Sequence, residues 1–281
     1  MDETYTTGKY GADKITLLGL FVAGLVIAHF ITYSTYTGPA KAGRQVVAEI
    51  KRKGISTFLE KQGGQSFFLI KNNLTDRTIG FTMDVRVDLA TEAKLNIQSA
   101  GFLYTRGTFS QERLTLFKSD SSFDEFSWKS ETVVPGRRTG TEIILTEDGV
   151  LTVAKSGQKK TQTYKPGPDS MPEPVLDLAL AHMLESNHKK IIVDTINADG
   201  RLVEVAISRM SPAHSATEHK FKVHFLDERR FSEEVYVDSR GRITRIQQDN
   251  SYRFDRTSAE NIVAQFPEWA DYILQRNKIF Q

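Results

Sequence analysis

The chain has 281 residues, of which 39% are hydrophobic, 10% aromatic and 26% charged, an ordinary globular mixture with enough apolar material for a substantial core. Its formal net charge is +2, which leaves out the clustered basic footprint of a nucleic-acid binder. It contains no cysteine, which excludes disulfides, thiolate metal sites, cysteine nucleophiles and the lipid-bearing cysteine of a bacterial lipoprotein.

The first feature along the chain is ITLLGLFVAGLVIAHFITYSTYTGPAKA, residues 15–42. From Ile15 to Tyr33 it is almost wholly apolar, close to the ~20 residues that cross the hydrocarbon core as a helix. Tyr33 and Tyr36 stand where an interfacial aromatic belt forms, and Lys9 and Lys14 flank the other end. The rival is a secretory leader cut after Ala40-Lys41-Ala42. Two features disfavour it: the apolar run exceeds the usual ~7–15 residues, and Ser34 to Pro39 separates it from the cut. The expected organisation is a cytoplasmic tail (1–14), a transmembrane helix (15–36) closed by Pro39, a linker or amphipathic helix (37–64), and a β-rich extracytoplasmic domain (65–281). Lys9 and Lys14 favour an inside N-terminus, whereas Lys41, Arg44, Lys51, Arg52 and Lys53 argue the reverse; the large domain is placed outside. His29 is an ionisable residue inside the apolar run and points to protein contact or an interfacial position.

In GRQVVAEIKRKGISTFLEKQGG, residues 43–64, the apolar positions are Val46, Val47, Ile50, Phe58 and Leu59. The stretch reads either as a stalk or membrane-surface helix or as the first helix of the domain. The period then changes to two. In GFTMDVRVDL, Phe81, Met83, Val85, Val87 and Leu89 alternate with Thr82, Asp84, Arg86 and Asp88, which is a half-buried antiparallel strand. KLNIQSAGFLYTRG, ERLTLFK and FDEFSWKSETVV continue the pattern. TEIILTEDGVLTV, KIIVDTINADGRLVEV and EEVYVDSRGRITRI each place a glycine (Gly149, Gly200, Gly241) in a tight turn between two strands. Glycine supplies the positive φ that hairpin turns need. Between the first two hairpins, Pro166, Pro168 and Pro172 mark a loop, and Pro174 opens a helix over PVLDLALAHML. Thr257 to Glu260 has the spacing of a capping box, and Pro267 interrupts the helix it opens. The fold class is mainly β with a few helices: an N-terminal transmembrane helix, then a large antiparallel curved sheet or half-barrel covered by helices.

Candidate chemistry is sparse. His214, His219 and His224 invite a metal reading, but positions 219 and 224 lie on opposite faces of a strand, no H-E-x-x-H pattern is present, and ordinary histidines are favoured. Asp84 and Asp88, with Arg86 between them, read as a solvated face with cross-strand ion pairing rather than an acid–base pair. Glu233 and Glu234, and Asp227 and Glu228, read the same way. Lys155, Lys159, Lys160 and Lys165 form a small basic patch around a turn, and Asn73-Leu74-Thr75 matches a glycosylation acceptor that matters only in a eukaryotic secretory protein. There is no G-x-S-x-G elbow, P-loop or dinucleotide fingerprint.

The alternating FTMDVRVDL, the hairpins at EDG, ADG and SRG, and the PVLDLALAHML helix together resemble the bacterial LolA/LolB half-barrel over residues 65 to 257. The resemblance implies a curved, incomplete barrel with helices over its open side and an apolar hollow that receives lipid or acyl chains. It departs from that family in having an apolar anchor and no lipidated cysteine. No functional residue carries over.

The expectation is a single-pass protein of a bacterial inner membrane with a non-catalytic binding domain on the periplasmic, extracytoplasmic side, and with no cofactor, no metal and no nucleic-acid partner. Its partners are the lipid bilayer, proteins of a membrane complex, or a lipid or acyl ligand. The candidate ligand-binding residues are Phe81, Met83 and Val85, lining a concave sheet face, though residue by residue the core beneath the helices is the favoured reading. The alternatives are an enzyme whose site is dispersed in sequence and a structural subunit that works through its transmembrane helix. An apolar cavity of ~300 Å³ or more under the helices points to ligand binding. A cleft of convergent polar groups and perturbed acids points to an enzyme.

Overall fold

The structure, a computed structural model, describes residues 9–55, 57, 63–89, 94–117, 123–210, 218–226, 232–248 and 251–278. Helix α1 (Lys9–Thr32) passes through a π-helical turn, Tyr33–Thr37, into α2 (Gly38–Lys53). Among the described residues this is the one helix long and apolar enough to cross a membrane, and from Leu20 to Tyr36 none of its side chains is buried. Pro39 does not end it, contrary to expectation. Proline lacks the N–H that would bond to the carbonyl of Thr35 four residues back. The wider turn, in which the Gly38 N–H bonds to the Tyr33 carbonyl, carries the helix past that gap. Lys190 Nζ then donates to the Thr35 carbonyl at 3.0 Å, so the orphaned acceptor is satisfied.

Helix α2 is the first helix of the domain. Val46, Val47 and Ile50 are completely buried in the main core, while Phe58 and Leu59 lie outside the described residues. A Cβ added at Gly43 would fall 1.8 Å from the Ile192 carbonyl oxygen, so only glycine permits this close a crossing.

The body is one sheet of fifteen strands. The first eight are β1 (Gln65–Asn72), β2 (Thr78–Leu89), β3 (Lys94–Leu103), β4 (Thr108–Leu116), β5 (Phe126–Val134), β6 (Arg137–Leu145), β7 (Leu151–Lys155) and β8 (Gln162–Tyr164). The short β9 (Met171–Pro172) and a 3₁₀ turn, Glu173–Val175, lead into α3 (Asp177–Glu185). There follow β10 (Lys190–Ile196), β11 (Leu202–Arg209), β12 (Glu218–Phe225), β13 (Ser232–Asp238), β14 (Ile243–Gln248) and β15 (Tyr252–Thr257), and then α4 (Ala259–Gln265) and α5 (Ala270–Lys278). The strand order is β8-β7-β6-β5-β4-β3-β2-β1-β15-β14-β13-β12-β11-β10-β9. It is a meander of antiparallel neighbours, joined at the middle by β1 against β15 and ended by a two-residue parallel pairing of β9 with β10.

The hairpin glycines behave as their sequence context requires: φ is 75° at Gly149, 72° at Gly200 and 81° at Gly241. The capping box is displaced by one residue. Ser258, not Thr257, is the N-cap of α4 and accepts from the Asn261 N–H at 3.3 Å.

The sheet curls until its two ends meet through side chains rather than a ladder. Tyr164 Oη on β8 donates to the Gly200 carbonyl at 2.7 Å, and Lys155 on β7 pairs with Asp199 at 3.1 Å. Most of the β10 edge has no strand neighbour, since β9 pairs only with Thr195 and Ile196. Helix α2 covers it at Ile192, and a covered edge is closed to pairing with other chains. The architecture is therefore a barrel-like, incompletely closed sheet with helices at its gap.

Two separate cores result. The main core lies inside the curl and joins Leu95, Leu114, Trp128, Ile143 and Val153 to Ile191, Val205, Val223, α2 and α3. The second lies on the opposite face of β1–β4, where Phe67, Leu69, Phe81, Met83 and Ala100 pack against Ile262, Phe266 and Ile273 of the C-terminal helices.

Candidate functional site

Residues directly opposite one another on antiparallel strands share a face. Asp84 faces Ser99, and Ser99 faces Glu112. In the next row, Arg86 faces Ile97, Ile97 faces Leu114, and Leu114 faces Trp128. These two rows look into the curl, where a hollow of about 300 Å³ remains unfilled. The far wall comes from Val223 and Phe225 of β12, Glu233 and Val235 of β13, and Ile243 and Ile246 of β14. The lid is the turn at Glu173 and Pro174 together with Leu176, Asp177 and Leu180 of α3.

Leu180, Val223, Phe225, Val235, Ile243 and Ile246 give the hollow apolar surface, but it also contains charge. Arg86 forms an ion pair with Asp177, and their side chains are only 13% and 14% exposed. Asp177 also sits in the first turn of α3, where the helix dipole favours an anion. Gln248 Nε2 donates to Glu233 at 2.8 Å. Burial holds the Asp84 carboxyl above the ordinary carboxylate range, against the opposing pull of a Ser99 hydrogen bond and the Arg86 charge. Burial, reinforced by the negative charges of Glu173 and Asp84, pushes the Glu112 carboxyl up to about 7. The Trp128 indole pulls it the other way. That indole N–H is buried and makes no hydrogen bond of ordinary geometry. A larger depression, about 570 Å³, lies over β3–β7 beside Arg113, Lys129, Glu131 and Glu142. Glu112 borders it too, and Lys129 there pairs with Glu142 at 2.8 Å at the surface, a weak arrangement.

The expectation of a solvated Asp84–Arg86 face with cross-strand pairing is overturned: both side chains look into the hollow, and Arg86 reaches a helix. The Asp88 side chain lies outside the described residues. Phe81, Met83 and Val85 occupy the opposite face, and Phe81 and Met83 are fully buried beneath α4 and α5. Phe81 there meets Phe266 at 5.3 Å and Trp269 at 6.0 Å between ring centres. His219 and His224 face Val237 and Ser232 at positions of opposite parity, His214 lies outside the described residues, and among the described residues no cluster of three metal-binding side chains occurs. Lys155 of the basic patch is committed to Asp199, and Asn73-Leu74-Thr75 forms the β1–β2 turn. Glu233 belongs to the hollow, while Asp227 and Glu228 lie outside the described residues.

Glu112 was missed from sequence, although a signal existed. It shares strand parity with Leu114 and Leu116, which are buried, so an acid stands in line with core positions.

No protein-family profile matches the sequence, and no curated protein matches it significantly. Among solved structures the chain is similar to a β-barrel-like protein of the domain of unknown function DUF1849 from Brucella abortus, with TM-score 0.49 and 14% identity over 69% of this chain and 95% of that one. It is also similar to a DUF1089 family protein from Pseudomonas aeruginosa, with TM-score 0.36 and 10% identity over 60% of this chain and 89% of that one.

Proposed function

We propose that the chain is a single-pass protein of a bacterial inner membrane whose barrel-like domain faces the extracytoplasmic side and works by binding a ligand in the hollow. The observation that carries this reading is the joint between the apolar helix and the body. The exposed helix runs into α2, a core helix, with no flexible linker, and Tyr36 Oη donates to Glu204 of β11 beside the Lys190 contact. An apolar helix so joined presents the hollow at a fixed attitude to the bilayer. A half-barrel carrier of the LolA/LolB kind is one form of such a domain, but the carboxylates here suit an amphiphile better than a bare acyl chain. The test is membrane extraction at alkaline pH with protease added to spheroplasts, followed by mass spectrometry of what accompanies the chain in mild detergent. Retention in the membrane, digestion of the body from outside and a co-purifying small molecule are expected. A freely soluble chain, or a bare one, overturns the reading.

A second reading has its own observation. Two carboxyls held towards neutrality in one cleft are suited to general acid–base chemistry, and Glu112, at about 7, is the group best placed to exchange a proton. Turnover of the co-purified molecule that Glu112→Gln abolishes without loss of binding would favour an enzyme.

A further inference from the structure

The hollow's wall is unequal in charge. Among the described residues, five carboxyl side chains line it (Asp84, Glu112, Glu173, Asp177 and Glu233) against one guanidinium, that of Arg86. That guanidinium is already engaged by Asp177. Around the acids stand Trp128, Leu180, Phe225 and Val235, and Trp128 is only 1% exposed. In a low-dielectric enclosure, carboxyls such as Asp84 and Glu112 either keep their protons or take up an external cation. An aromatic face with a buried indole beside it adds the attraction of a π-system for an ammonium group. Leu180, Val223, Phe225, Val235, Ile243 and Ile246 give an organic body apolar surface on which to shed water.

Resting on the reading of the hollow as a ligand site, we propose that its ligand is a small organic amine, bound as the ammonium ion with its charge between Asp84 and Glu112 and its apolar part against Trp128, Phe225 and Leu180. The same geometry disfavours anions, because a carboxylate or phosphate would meet the Asp84 and Glu112 carboxyls, and Arg86, the cation among the described lining residues, already pairs with Asp177. It also disfavours metal ions, because among the described residues no three acidic or imidazole side chains come together as ligands. Binding is coupled to protons. Below neutral pH the Glu112 carboxyl carries a proton, and arrival of an ammonium ion releases it, leaving a carboxylate paired with the cation and one proton in solution. Glu173 and Asp84 act in the same direction as burial, and the Trp128 indole acts against them.

The experiment uses the full chain in lipid nanodiscs and three probes of similar shape: 2-phenylethylamine, 3-phenylpropanoate and 2-phenylethanol. Calorimetry at pH 6.5 in buffers of different ionisation enthalpy gives both affinity and protons exchanged. The amine is expected to bind at least ~10-fold more tightly than the other two and to release close to one proton. Glu112→Gln is expected to weaken the amine ~10-fold or more and to abolish the release, while Lys129→Gln, on the outer face, changes neither. If the phenylethanol or the phenylpropanoate binds as well as the amine, the ligand class is wrong while the hollow stands as a site. If the amine binds without dependence on Glu112, or does not bind, the proposal is overturned; the co-purification experiment then judges the hollow separately.

Discussion

Strand β2 has two faces of opposite chemistry, and both are covered. On one, Phe81 and Met83 are sealed beneath two C-terminal helices. On the other, Asp84 and Arg86 line a hollow shared with Glu112 and Asp177. Alternation in sequence normally separates a core face from a solvated one. Here a helical pair covers the outside of the sheet, so the apolar row builds a local core and the polar row is carried into the interior of the curl. The lesson is that a period of two identifies two faces without saying which is concave. The burial of charge marks the side on which ligand chemistry can occur.

The largest effect should come from the sealed face. Phe81→Ala is expected to cost ~3–5 kcal/mol of stability, the usual loss for a buried aromatic, and to leave probe binding in the hollow unchanged. Chemical denaturation and calorimetry on the same variant check both halves. On the inner face the expected sign is reversed near neutral pH. A carboxyl raised from 4.5 to about 7 on folding contributes stability that is full below 4.5 and lost as pH rises to about 7. At about 1.4 kcal/mol per pKa unit this is roughly 3 kcal/mol, and Asp84, also raised, adds in the same direction. Glu112→Gln should therefore flatten the fall of stability between pH 4.5 and 7.5 and make the protein more stable than wild type at pH 8, as melting across that range would show.

The two glycine-bearing parts of the N-terminal helix sharpen the contrast further. Gly43→Ala puts a methyl group into the Ile192 backbone and should cost ~1–3 kcal/mol. Gly24→Ala meets nothing within 4 Å and should leave the melting temperature of the body unchanged. A modest effect is expected at the π-helical joint: Lys190→Met removes the donor to the Thr35 carbonyl and should cost ~1 kcal/mol, seen as faster amide exchange around residues 33–39.

Much of the fold was legible because local rules governed it. Asp-Gly turns and alternating apolar rows pinned the hairpins β6–β7 and β10–β11, and the long apolar run marked α1. The exceptions have physical causes. Pro39 was expected to stop a helix, but a widened turn and a lysine from β10 supply what proline lacks, and only the tertiary structure brings that lysine near. The hollow was hidden because Asp84, Glu112, Asp177 and Glu233 are far apart in sequence and meet only when the sheet curls. Arg86 looked like a partner for its strand neighbours, yet its partner is on α3, 91 positions away. Glu112 alone could have been found, as an acid in register with leucines.

Because the chain contains no cysteine, single cysteines can report each face of the sheet without background. Ser99 lines the hollow, while its neighbour Ala100 is 2% exposed under the C-terminal helices. The direct test is the rate at which a small maleimide labels Ser99→Cys and Ala100→Cys in the folded full chain. The account predicts that the cysteine at 99 reacts and is protected by 2-phenylethylamine, while the cysteine at 100 stays inert until unfolding. Rapid labelling at 100 with none at 99 would contradict it.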